Sequence, residues 1–364
     1  MRRFALACSL SLLLPASVVA QEDPLLAAPI DGAPASTLAF DGEALLRVER
    51  TRHLPGARPS PDLDRERARV RLGATWMPIA GLELRGALKG ALGSDSNRDN
   101  RINNDNERSN GIALDEAYLR WRPRESTALT LGKARMPLEL SPLTWDGDLR
   151  PAGIAIDHSI AVGDYDRVQL VAAALAGGQL YHDRSRIVAV QAAWRWHEGA
   201  PTSAAVLLGY AGFSDLDALA RHGLARTNRV DARGFVSDFH LLDLQLVARH
   251  QLGTWPIEAR LDLVRNLGAD DEADAARLSL VAGDRRRARQ WEFGFAWQRQ
   301  QRDAVLAAFS EDDWWFHSYA RGGMPWVGYG LTDRLSLRLA GFRERRDRLS
   351  SHTERVLLDL EARW

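Results

Sequence analysis

Residues 65–71 read RERARVR, which sets Arg65, Arg67, Arg69 and Arg71 at every second position. In an extended strand alternate side chains share a face, so the four guanidiniums would form one column spaced about 7 Å apart. Arginines so placed do no covalent chemistry alone; they attract anions, order water and require carboxylate partners. Arg85 and Lys89 extend the basic set on the next segment, and Glu139, Asp146 and Asp148, within 135–150, are candidate carboxylates. A basic wall facing acidic groups makes a transverse field that orients dipolar solutes and sets ion preference. The competing reading pairs the arginines with Glu43, Glu49 and Glu83 on neighbouring segments, where they would only hold an interior open.

Other chemistries find little footing. There is no Gly-x-Ser-x-Gly elbow, and the nine histidines show no ligand spacing. Asp95, Asn97 and Asp99, within 93–111, look like the start of a calcium loop. Asn100 and Asn106, however, replace the Gly and Glu that such a loop needs, so no metal is expected. The only cysteine is Cys8, which leaves no disulfide framework once the N-terminus is removed. No cofactor is expected. Lys+Arg and Asp+Glu both number 48, so neither nucleic acid nor any other polyanion is implied as a partner.

The elements that would carry these residues alternate strictly. Phe40, Ala44, Leu46 and Val48 interleave with Asp41, Glu43, Arg47 and Glu49; Ala68, Val70, Leu72 and Ala74 interleave with the arginine column. Trp291, Phe293, Phe295 and Trp297 oppose Glu292 and Gln298, and Val356, Leu358, Leu360 and Ala362 lead to Trp364 at the last position. Long polar connections (51–64, 93–111, 214–233, 301–318) take turns with brief ones (78–81, 123–126, 163–166, 197–202, 251–255, 284–288, 332–334). This pattern predicts an all-β, transmembrane antiparallel β-barrel of about 16 strands (roughly 14–18), each of about 10–13 residues, enough to cross a bilayer at a tilt. A large soluble sandwich would also alternate, but its strands are shorter and its loops need not alternate in length.

Seven of the twelve tryptophans, Trp76, Trp121, Trp194, Trp196, Trp255, Trp291 and Trp364, fall where strands meet the short turns. An indole prefers the headgroup layer, where its ring is half covered and its N–H stays wet, so these predict an aromatic girdle. Residues 1–20 read as a cleaved signal peptide, with Arg2 and Arg3, an apolar run and Val18-Val19-Ala20. Residues 21–36 read as a flexible periplasmic lead-in and 37–364 as one barrel.

In these features the chain resembles Gram-negative outer-membrane porins. DEAYLRWRP (115–123), LTLGKARMP (129–137) and LTWDGDLRPAGIAI (143–156) are similar to a bacterial porin family with a Tyr-Leu strand, a Leu-Gly-basic strand and a Trp-Asp-x-Asp loop. A weaker similarity runs to alginate-export barrels. The resemblance implies export by the general secretory route, residence in outer-membrane lipid, and recognition of Val356–Trp364 by the barrel-assembly machinery. It also implies a homotrimer and a third long loop folded into the lumen, where Glu139, Asp146 and Asp148 would face the basic wall. The function expected is a water-filled channel for small hydrophilic solutes or ions. The alternatives are an exporter of an anionic polysaccharide or other anion and, behind it, an outer-membrane enzyme. The chain up to residue 36 is too short to plug the lumen as in a TonB-type receptor.

Overall fold

The computed structural model describes residues 36–55, 62–93, 111–177 and 184–364. The signal peptide, the lead-in apart from Ser36, and the calcium-like stretch in 93–111 lie outside them.

The wall is built from β1 (Thr37–Arg52), β2 (Leu63–Ile79), β3 (Leu82–Gly93), β4 (Gly111–Arg124), β5 (Thr127–Lys133), β6 (Ala152–Val162), β7 (Asp166–Ala176), β8 (Arg186–Trp196) and β9 (Thr202–Ser214). It continues after a loop carrying helix α1 (Asp217–Arg221) and a small hairpin, β10 (Val230–Asp231) with β11 (Gly234–Phe235). Then come β12 (Phe239–Leu252), β13 (Trp255–Asn266), β14 (Asp274–Gly283), β15 (Trp291–Gln300), β16 (Ala320–Thr332), β17 (Leu335–Arg346) and β18 (Thr353–Arg363). Sixteen strands pair with their neighbours in one closed barrel, β9 meeting β12 and β18 meeting β1 antiparallel. All seven predicted brief connections join consecutive strands at one end, and the long loops lie at the other. Among the described residues no helix is long and apolar enough to cross a membrane.

Gly42 and Trp364 exchange backbone hydrogen bonds, each 3.0 Å, so the last residue completes the seam where the two ends of the barrel wall meet. A Cβ on Gly42 would lie 2.4 Å from the Trp364 ring, so only glycine lets the indole lie flat on β1.

Burial is inverted relative to a soluble protein. Outward side chains such as Phe40, Leu72, Leu131, Leu278 and Phe295 are exposed, whereas Glu49, Asp243, Gln245, Asp262 and Asp359 are buried inside. The seven tryptophans next to the short turns are 37–48% exposed, as much as other outward residues of the wall such as Phe293.

The lumen is not uniformly wet. Two loops fold into it: L3, residues 134–151 between β5 and β6, and L7, residues 301–319 between β15 and β16. Their apolar residues, among them Leu138, Leu143, Val305, Leu306 and Phe309, pack with inward Val171, Ile187, Phe213 and Leu241 into a dry cluster on one side. Each such side chain contributes about 1.5–3 kcal/mol on burial. Open space is left on the opposite side, against β1, β2 and β17. L3 departs inward as the resemblance implied. L7, a long polar connection in the sequence reading, is instead mostly buried from Asp303 onward.

Candidate functional site

The site begins with how the two loops are pinned. In L3 the Ser141 amide donates to Asp243 Oδ2 of β12 (3.2 Å), and the Ser141 carbonyl accepts from the amides of Thr144 (2.9 Å) and Trp145 (3.1 Å). In L7 the Asn228 side chain, from the loop after β9, donates to the carbonyls of Arg302 (2.8 Å) and Val305 (2.9 Å) and accepts from the Ala307 amide (2.8 Å). Glu344 of β17 accepts from the amides of Trp315 (2.8 Å) and Phe316 (3.1 Å). The loops are latched to each other as well. Trp145 stacks on Phe309 with centroids 5.4 Å apart, and Phe309 on Phe213 at 5.6 Å. The Asp146 amide donates to the Phe309 carbonyl (2.6 Å), and the Glu311 amide to that of Pro142 (3.1 Å). Trp145 therefore wedges L3 against L7.

The latch brings five carboxylates to one place: Asp146 and Asp148 from L3, Glu311, Asp312 and Asp313 from L7. They face arginines on the wall. Asp313 meets Arg47 of β1 at 2.5 Å and Arg338 of β17 at 3.3 Å, while Asp359 of β18 holds the same two at 2.7 and 3.6 Å. Asp148 pairs with Arg69. Between these groups lies a cavity of about 320 Å³, also bordered by Arg67 and, on the short-turn side, by Glu43, Arg285, Glu361 and Arg363. Carboxylate oxygens of Asp146, Glu311 and Asp312 fall within 4.8 Å of one another. Burial, then the neighbouring Asp146, Asp313 and Asp148, push Glu311 well above the usual carboxylate range. Burial would raise Asp313 too, but the Arg47, Arg338 and Arg355 guanidiniums outweigh it and hold Asp313 below that range.

Of the residues singled out from sequence, Arg67, Arg69, Asp146 and Asp148 come together at this cavity. The others sit elsewhere in the same wall. Arg65 is buried against Glu49 (2.8 Å), the neighbour-pairing alternative realised at that position. Arg71 pairs with Glu43 and with Asp115 of β4 (2.6 Å), and Arg85 with Asp41 (2.6 Å) and Glu116 (2.5 Å). Lys89 stands across from Arg71 on the inner face of β3. Glu139 is not beside Asp146; it pairs with Arg195 of β8, because L3 crosses the barrel before turning back.

Sequence reasoning missed Arg47, Arg338 and the L7 acids as site residues, and missed Asp115 and Glu116. The last two are adjacent yet both buried, since a bulge inserts Asp115 between the pairs Ala87↔Glu116 and Leu88↔Leu114. Two consecutive carboxylates in a wall strand were a signal, because strict alternation would aim one of them outward.

No family model matches the chain, and no curated protein sequence matches it. Solved structures do. OprB of Pseudomonas putida is 14% identical, with a TM-score of 0.59 over 90% of this chain and 94% of that one. OmpF of Salmonella typhi gives 12% and 0.53 over 90% and 97%, and an anion-selective porin of Comamonas acidovorans 11% and 0.52 over 90% and 100%. The fold is that of the outer-membrane porins.

Proposed function

We propose that the chain forms a water-filled outer-membrane channel for small hydrophilic solutes. Its constriction would lie between the arginines of β1, β2 and β17 and the acidic ends of L3 and L7. The observation that carries this reading is the two-signed cavity between loop and wall, enclosed by a barrel whose outer face is apolar. Seven carboxylates and six arginines border it (Glu43, Asp146, Asp148, Glu311, Asp312, Asp313 and Glu361 against Arg47, Arg67, Arg69, Arg285, Arg338 and Arg363). Near-balance of charge favours neutral or zwitterionic solutes over a polyanion, which speaks against the polysaccharide-exporter alternative. The girdle tryptophans would set the membrane depth, and outer-membrane lipid would bathe Leu72, Leu131 and Phe295.

Planar-bilayer recording under a salt gradient tests the constriction. Arg67→Ala should shift the reversal potential toward cation preference and Asp146→Ala toward anion preference, because each removes one sign from the cavity edge. If neither variant moves selectivity or conductance, the constriction lies elsewhere.

Glu311 adds a pH dependence. The packed loops favour its protonated form, so they bind more protons than the loosened loops between the ordinary glutamate value of 4.5 and the raised one. Their packing is therefore most stable at low pH and weakens as pH climbs through that window, when Glu311 charges beside Asp146 and Asp313. Conductance should rise with pH over this interval in the parent and stay flat in Glu311→Gln. An identical pH profile in the two proteins would remove Glu311 from the account.

A further inference from the structure

At the long-loop end of β15, β16 and β17, three arginines stand side by side on the outer face. Arg299 is the direct cross-strand partner of Arg321, and Arg321 of Arg345. Neighbouring strands lie about 4.8 Å apart, so the three guanidinium stems span about 10 Å. Like charges directly opposite one another destabilise a sheet unless something neutralises them. Among the described residues none of the three has an ion pair or a side-chain hydrogen bond, in contrast to the inner-wall arginines Arg47, Arg65 and Arg85. Arg343, on the same face of β17, has only Glu354 at 3.8 Å, with both side chains more than half exposed.

What lies beneath them along the wall is apolar. Phe295 and Trp297 stand exposed on β15. Beside them β16 carries Gly323, where a Cβ would just touch the Phe295 ring at 3.4 Å, and β17 carries Gly341, with open space around it. Two absent side chains next to an aromatic stripe leave a shallow trough running down the outer wall from the arginine row.

We propose that this rim binds a lipid with a phosphate-bearing headgroup in the leaflet facing the long loops. Its phosphate would bridge Arg299, Arg321 and Arg345, and an acyl chain would lie in the trough by Gly323 and Gly341. The planar guanidinium fork matches phosphate oxygens pairwise, and a phosphate centred on the row would turn three repelling charges into charge-assisted contacts. A free anion would satisfy the charges but has no use for the trough, which is why a lipid is favoured. The proposal rests on the membrane-embedded reading of the barrel but not on the constriction, since these residues point away from the lumen.

The test is lipid retention by the full-length barrel purified in detergent. It is mixed with lipid A, lipid A stripped of its phosphates, or inorganic phosphate, and bound species are counted by native mass spectrometry. The intact protein should hold lipid A at least about tenfold more tightly than the dephosphorylated form, the loss expected from even one charge-assisted contact. Changing Arg299, Arg321 and Arg345 together to Gln should abolish the difference while leaving single-channel conductance and the unboiled gel shift of the folded barrel unchanged. Arg186→Gln, at the same end of β8 but already 3.3 Å from Asp215, should bind lipid A as the parent does. Equal binding of both lipids by the parent protein overturns the proposal even if the triple variant does not fold. So does a loss as large in Arg186→Gln, which would mean unspecific charge attraction, or full displacement of lipid A by inorganic phosphate, which would mean an anion site only. A parent protein that binds lipid A selectively but conducts no ions would instead sink the channel reading and leave this one standing.

Discussion

Phe309→Ala should raise single-channel conductance severalfold and make it noisy, with the barrel itself intact. Phe309 is fully buried and is the ring on which the two lumen loops meet, stacked on Trp145 of L3 and on Phe213 of β9. Truncating a buried phenylalanine costs about 3–5 kcal/mol, partly through the cavity left behind. That cost falls on the loop latch, because the wall is held by strand-to-strand backbone hydrogen bonds that Phe309 does not touch. Two further links between the loops, Asp146 to Phe309 and Glu311 to Pro142, are single backbone hydrogen bonds, each contributing about 1 kcal/mol net. L3 and L7 would then separate, and the acidic tips would leave Arg47 and Arg69. Bilayer recording reads the conductance, and the unboiled gel shift reads barrel integrity. Leu208→Ala, on the exposed outer face of β9, should change neither. A Phe309→Ala channel that conducts like the parent would mean that L7 does not narrow the pore.

This coupling also explains which parts of the molecule could be read from its sequence. Wall strands obey a local rule: each residue faces one of two environments, and period two records which. Hence the strand number, the seven brief turns, the outward leucines and the inward Arg65–Arg71 column were all legible. The weakly patterned segments 154–159 and 278–283 are nonetheless strands, in β6 and β14; alternation fades there because small or apolar residues, Ala155 and Ser159 in one and Ser279 and Val281 in the other, stand on the inner face where charged ones stand elsewhere. A lumen loop obeys no such rule. L7 looked polar because of Glu311, Asp312 and Asp313, yet it carries Ala304–Phe309 and Trp314–Phe316, two apolar runs that a loop in water would not need. Those runs were the available sign that it packs inside. Their partners, from Val171 to Leu241, are too far away in sequence to be inferred without the closed barrel. The L3 pairing failed for Glu139 for a related reason: spacing along a loop says nothing about which wall it crosses to.

Glu49→Ala should destabilise the barrel by about 3–5 kcal/mol, the range for breaking a buried ion pair by removing one partner. Glu49 lies on β1, flanked by β2 and β18, where the two ends of the wall close on each other. Its carboxylate has no exposure and holds Arg65 of β2 and Arg355 of β18, each at 2.8 Å, with Thr51 donating at 3.3 Å. Without it the buried guanidiniums of Arg65 and Arg355 lose the carboxylate that bridges them across the seam. Arg355 also donates to the carbonyls of Asp312 (2.9 Å) and Asp313 (2.6 Å), so its displacement would reach the acidic tip of L7 as well. Urea titration of the barrel folded in detergent measures the loss. Glu43→Ala provides the contrast, since that carboxylate is about one-third exposed and its partner Arg71 keeps Asp115, so its removal should cost only about 0–1 kcal/mol. Adding Arg355→Met to Glu49→Ala should recover part of the stability by taking away a buried charge that has lost its bridging carboxylate. If Glu49→Ala unfolds at the same urea concentration as Glu43→Ala, the seam is held by backbone pairing alone and the buried triad of Arg65, Glu49 and Arg355 adds nothing to it.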